Sequence, residues 1–184
     1  MKNTIFLMIF TLGFSIGIAA QPAKARTLPL ALASQLVKDD SGVREKMRDN
    51  RWTVSNVAKE VNYLKFVDLN ADGVDELIFS GIVCGTANCQ TWIYRKIGAK
   101  YEQIPFDASA VDLKVLASRS SGYSDISIEG RGSAVESEVH IHKFDGRKYD
   151  VKECFSKNWA LFNTRTGKWT ELKTPRVERL KCSF

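Results

Sequence analysis

The chain has 184 residues, 44% of them apolar and 26% charged, with a net charge of +6, four cysteines and two histidines. That apolar share supports a packed core and excludes a disordered polyampholyte. The mild basicity suits an anionic envelope polymer or an acidic partner, and serves solubility equally well.

At the N-terminus, Lys2 precedes an apolar run from Ile5 to Ile18, which ends in Ala19-Ala20 and then Ala23-Lys24-Ala25. A positive start, a short apolar run and small residues at A-x-A spacing predict a signal peptide over residues 1–25, cleaved after Ala20 or Ala25. A membrane span needs about 20 apolar residues, so this run reads as a leader, and no later stretch is long enough to cross. The mature chain, 26–184, is expected in the periplasm or secreted, as a single β-rich domain. Nucleic acid is not an expected partner there.

Export agrees with the even cysteine count, since an oxidising compartment pairs thiols. Of three possible pairings, the spacing favours Cys84 with Cys89, across the tight Gly85-Thr86-Ala87-Asn88 turn, and Cys154 with Cys182, across the C-terminal segment. A zinc site would need four ligands at closer spacing than C-x4-C with two distant cysteines.

After the leader, Leu30, Leu32, Ala33, Leu36, Val37, Val43 and Met47 fall close to helical spacing, interrupted by Asp39-Asp40-Ser41-Gly42. This predicts two short helices between 30 and 48, the second capped by Asp40 or Ser41. Beyond Trp52 the pattern changes to short β-branched and aromatic runs punctuated by Gly, Asn, Asp and Ser. Strands are expected near 62–68, 76–83, 90–96, 100–106, 111–117, 124–129, 135–144, 148–153, 158–163 and 168–172. Turns fall at Ile97-Gly98, Asp145-Gly146 and Thr166-Gly167, where glycine supplies the positive φ that hairpins require.

The β region repeats itself. Residues 72–81 align with 121–130, matching both glycines, and residues 92–101 align with 140–149, matching Gly, Lys and Tyr. A period of 48 or 49 residues is the length of a blade-like sheet unit. The expected class is therefore α+β: mainly antiparallel β-sheet of two blade-like repeat units, about 62–106 and 111–153, with short N-terminal helices. A disulfide-tied segment, 154–184, would follow.

The first unit contains Asp68-Leu69-Asn70-Ala71-Asp72-Gly73-Val74-Asp75-Glu76. Side-chain oxygens at positions one, three, five and nine, a glycine at six and a carbonyl at seven form the hard oxygen cage that calcium takes. Position twelve is Phe79, so this is not an EF-hand. The nonamer between strands, followed by a hairpin ending in Gly-x-Lys-Tyr, resembles the calcium loops of FG-GAP (integrin α-type) repeats. The resemblance implies a structural Ca²⁺ held by Asp68, Asn70, Asp72, the Val74 carbonyl and Glu76. Its departure is Glu where Asp is usual at position nine. Over residues 28 to 182 the Leu-Pro start, the DLNxDGxxE loop, the C-G-x-x-x-C-x-x-W segment and the late Cys resemble small secreted bacterial proteins whose function is generally unassigned. In the second unit the positions equivalent to the side-chain ligands hold Ala117, Arg119, Ser121 and Asp125. Three of the four are lost there while the turn persists, which favours a ligand role in the first unit.

For catalysis the sequence offers little. His140 and His142 stand two apart, on one strand face, without an evident third ligand. No G-x-S-x-G, H-E-x-x-H or phosphate-cradling loop occurs. Paired carboxylates of an envelope hydrolase remain the alternative reading. The expected function is recognition of a protein or envelope component, for instance inhibition of, or immunity to, a wall-degrading enzyme. The expected partner face comprises Trp92, Tyr94, Arg95, Lys100, Arg147 and Tyr149, aromatic and arginine residues being the usual centre of an interface.

Overall fold

The computed structural model describes residues 27–182; the leader assigned to 1–25 lies outside them. Three helices come first: α1 (Leu30–Asp39), α2 (Ser41–Asn50) and α3 (Val54–Lys59). The break between α1 and α2 lies at Asp40, whose Oδ1 accepts the Val43 N–H at 3.0 Å and caps α2. The other carboxylate oxygen accepts the Trp92 indole N–H at 3.1 Å. One side chain thus starts a helix and fastens it to the sheet. The third helix falls between Trp52 and the first expected strand, where no element was expected. Thr53 and Asn56 form its reciprocal capping box, with Asn in the place usually taken by Glu or Gln.

The remainder is β-strand, and antiparallel but for one contact. Strands β1 (Tyr63–Val67), β2 (Glu76–Cys84), β3 (Cys89–Ile97) and β4 (Lys100–Ala110) form one meander. Strands β5 (Asp112–Ser120), β6 (Tyr123–Arg131), β7 (Glu136–Phe144) and β8 (Tyr149–Asn163) form a second. A last strand, β9 (Lys168–Leu180), pairs with β8. The meanders touch in the ladder only where Phe106 of β4 meets Tyr149 of β8, in parallel. Two of the expected strands, 148–153 and 158–163, are a single strand, β8. Its Cys154–Asn158 stretch is held on both edges, by β7 and by β9, so the polar run there does not interrupt it.

The first meander is the middle layer of the molecule. Along β2, Leu77 and Phe79 join a cluster with Leu32, Leu36, Val43 and Val57 of the helices, together with Trp92 and Tyr94 of β3. The alternate residues Ile78 and Ile93 point the other way, into a cluster with Ile104, Phe106, Ile126, Phe144 and Tyr149. Alternation along a strand sends neighbours to opposite faces, and here both faces are covered. Phe79 stacks against Trp92 and Tyr94, with ring centroids 5.5 and 5.8 Å away. At the β2 bulge Gly81 has φ 118°, and a Cβ there would lie 2.4 Å from the Asn62 nitrogen. Only glycine fits.

Both disulfides form as the spacing favoured. Cys84–Cys89 closes the end of the β2–β3 hairpin, and Cys154–Cys182 ties β8 to the chain just past β9. No helix among the described residues is long and apolar enough to cross a membrane. These features are compatible with a protein of the periplasm or the exterior.

Candidate calcium loop and inter-hairpin cleft

The β1–β2 connection is built from its own side chains. Asp68 accepts the N–H groups of Asp72 (3.2 Å) and Gly73 (2.9 Å), and Asp72 accepts that of Val74 at 2.8 Å. Asn70 accepts the Asp72 N–H at 3.0 Å and donates its amide to the Asp72 carboxylate at 2.9 Å. Two left-handed residues make the curl, Ala71 at φ 62° and Gly73 at φ 84°. The sequence pointed to the second of these and not to the first.

Two residues anchor the loop from within. Leu69 is fully buried in the cluster between the meanders, and Glu76 is only 2% exposed. The Leu69 N–H donates to Glu76 Oε2 at 2.8 Å, closing the nonamer end to end. Burial raises the Glu76 pKa, with Asp72 and Asp68 adding repulsion, while the Leu69 N–H opposes the rise. Asp68 is shifted down, chiefly by the Gly73 N–H. The loop also reaches the second meander: Ser124 donates its N–H to the Leu69 carbonyl at 2.7 Å, and Asn70 donates to the Tyr123 hydroxyl at 3.2 Å. It therefore stands at the junction of the two meanders.

In kind the donors suit a hard cation, since two Asp, one Glu, an Asn amide and the exposed Val74 segment offer oxygen alone. In arrangement the carboxylates are turned to backbone N–H groups. No three His, Cys, Asp or Glu side chains among the described residues are gathered as a metal site would gather them. The Asx hydrogen bonds of this turn hold the Asp68 and Asp72 carboxylates against the loop's own backbone.

The residues expected to face a partner divide in two. Trp92, Tyr94 and Tyr149 are buried, at 1%, 0% and 4% exposure; they are core, because the helices cover one face of β3 and the second meander covers the other. Arg95, Lys100 and Arg147 are accessible. Arg95 and Arg147 line a cleft of about 500 Å³ between the β3–β4 and β7–β8 hairpins, floored by Ile104 and Phe144. Arg95 is held there by Glu102, with Nη2 to Oε2 at 2.8 Å. The pairing raises its pKa further and aims the guanidinium.

The histidines lie on one face of β7, as their spacing implies, with ring centroids 6.5 Å apart, and differ in how far they are covered. His142 is 2% exposed, with Phe106 edge-on at 4.9 Å. Neither ring nitrogen has a hydrogen-bond partner among the described residues. Burial, reinforced by His140 and opposed by Asp150, pushes its pKa down to about 4. His140 is half-buried and lies 3.1 Å from the Glu138 carboxylate.

Comparison of the chain with protein-family models, with curated proteins and with solved structures finds no match to any of the three. The functional reading therefore rests on this geometry.

Proposed function

We propose that the chain is an exported binding protein that recognises another protein or an envelope component, with an inhibitor or immunity protein against a wall-degrading enzyme as its concrete form. The observation carrying this reading is the cleft in which Arg95 and Arg147 flank an apolar floor of Ile104 and Phe144. Arg95 already donates Nε and Nη2 to Glu102, so Arg147 offers the bidentate site for a partner's carboxylate, beside a seat for an apolar side chain, the usual make-up of an interface centre. The two disulfides support the compartment.

The two meanders are, on this reading, copies of one blade-like unit. In its support, each is four antiparallel strands in succession, and the 48–49-residue offset carries β2, β3 and β4 onto β6, β7 and the start of β8. Only the first copy keeps its calcium donors. Ca²⁺ on Asp68, Asn70, Asp72, Glu76 and the Val74 carbonyl would neutralise the loop and brace the junction of the meanders, as a structural ion.

The test is capture from envelope extract with the wild-type chain and with an Arg95→Glu, Arg147→Glu double variant. A protein or glycan retained by the first and lost by the second supports the cleft. Identical capture profiles, or hydrolysis of peptidoglycan by the purified chain, overturn the reading.

A further inference from the structure

Strand β8 runs past its partner. It leaves β7 at Asn158, and from Ala160 to Asn163 it pairs only with β9, which pairs with no other strand. The result is a two-stranded ribbon turning at Thr164–Gly167. A lone two-stranded ribbon is marginal in water, and this one is poorly covered: Trp159 is 43% exposed, Leu161 38%, Phe162 49% and Trp169 60%. Of ten exposed large apolar residues among those described, six lie on β8 and β9. Strand alternation puts Trp159 and Leu161 on one face and Phe162 on the other. Phe162 there meets its cross-strand partner Trp169, with ring centroids 5.1 Å apart. The ribbon is thus apolar on both faces near its turn.

Charge is segregated in the same place. Residues 157–184 hold seven Lys or Arg against Glu171 and Glu178, a net +5, whereas residues 27–156 hold seventeen against nineteen Asp or Glu, a net −2. Arg165 lies in the turn and Lys168 directly after it, beside the aromatic pair.

We propose that this ribbon is a membrane-docking arm, whose turn settles into the headgroup layer of an anionic phospholipid bilayer. Arg165 and Lys168 meet phosphates while Trp169, Phe162 and Leu161 sit at the acyl boundary, the level where aromatic rings and basic side chains lodge. A bilayer surrounds what enters it and so accepts two apolar faces at once, whereas a flat protein surface covers one. A second copy pairing along the β9 edge would set Lys173, Arg176 and Arg179 against like charges, and Pro175 withholds an N–H from that ladder. This surface is separate from the Arg95–Arg147 cleft, and the proposal does not depend on it.

The test is sedimentation of the exported chain with vesicles of phosphatidylcholine, with and without phosphatidylglycerol. Binding is expected only with phosphatidylglycerol and is expected to fall with added salt. Neutralising Arg165→Gln or Lys168→Gln should weaken it about fivefold each. Phe162→Ala with Trp169→Ala should abolish it while the unfolding midpoint moves little, and Arg95→Glu should leave it unchanged. Wild-type chain remaining in the supernatant overturns the proposal. So does an aromatic double variant that sediments like wild type, which marks contact by charge alone. Binding to polyglutamate without binding to vesicles would assign the arm to an acidic protein instead.

Discussion

Strand β3 and the ribbon of β8 and β9 carry similar side chains to opposite ends. In β3, Trp92 and Tyr94 are sealed under the helices; in the ribbon, Phe162 and Trp169 meet in the open. Both segments alternate as strands do, and both are aromatic. What separates them is the number of layers: β3 has a helical layer on one side and a second meander on the other, whereas the ribbon has outrun every other strand. Aromatic content therefore marks the core in one region and an exposed surface in the other.

The comparison is broken most directly by truncation. Trp92→Ala should cost about 3–5 kcal/mol of unfolding free energy, the usual range for a buried large aromatic. Trp169→Ala should cost no more than about 1 kcal/mol, the worth of an exposed cross-strand pair. Equal shifts in urea midpoint would show that the ribbon is packed as the core is. Next come the disulfides. On the chain-entropy model, removing Cys154–Cys182, 28 residues apart, should cost roughly 3.6 kcal/mol, and removing Cys84–Cys89, 5 apart, roughly 2 kcal/mol. Hydrogen exchange should then accelerate across β9 in the first variant and leave β2 and β3 protected. Uniform acceleration would mean that ribbon and body open as one unit.

Acid provides the third probe, and it acts on the body. The folded pKa of His142 is about 4, below the unfolded value of about 6.5, so the unfolded chain binds the extra proton first. Its contribution is fully present above about pH 6.5 and is lost as the pH falls towards 4, on the order of 3 kcal/mol in all. His142→Phe should flatten that limb of the stability profile, and an unchanged slope would exclude His142 as its source. The calcium loop comes last. At a hundredfold excess over its Kd, Ca²⁺ should add about 2.7 kcal/mol, and chelation should remove it. Mg²⁺ should substitute badly because it demands a tighter shell. Asp72→Ala should abolish the response and Asp125→Ala should spare it, whereas calorimetry without a binding signal at millimolar Ca²⁺ would leave the loop a turn.

Much of the strand order was legible because turns have explicit chemistry. Gly98, Gly146 and Gly167 all sit at positive φ where hairpins were expected, and Asp40 caps the helix beside it. Helix α3 was not legible, since six residues give too little apolar period and its box uses Asn56. The burial of His142 escaped because spacing puts it on one face with His140 but does not show that Phe106 packs over it alone. Three of the six residues expected on a partner face are buried, for a more general reason. Alternation tells which residues share a face, but not whether a layer lies over that face, so Trp92, Tyr94 and Tyr149 could not be told from Phe162 and Trp169. The loop's turn was readable from Asp68, Asn70, Asp72 and Gly73; its contacts to Ser124 and Tyr123, across the meanders, were not.

The Cys154–Cys182 link has a consequence for survival among proteases. The ribbon's turn, with Arg165 and Lys168 exposed, is the sort of loop tip that trypsin-like enzymes nick first. Because Cys182 lies beyond the turn and is bonded to Cys154 within the sheet, a cut there opens a covalent ring without shedding a fragment. The C-terminal piece stays on the body, held by sulfur as well as by the β8 ladder, and leaves only when a reductant is added. A nicked chain would thus keep its cationic strand through damage that would strip it from an unlinked hairpin.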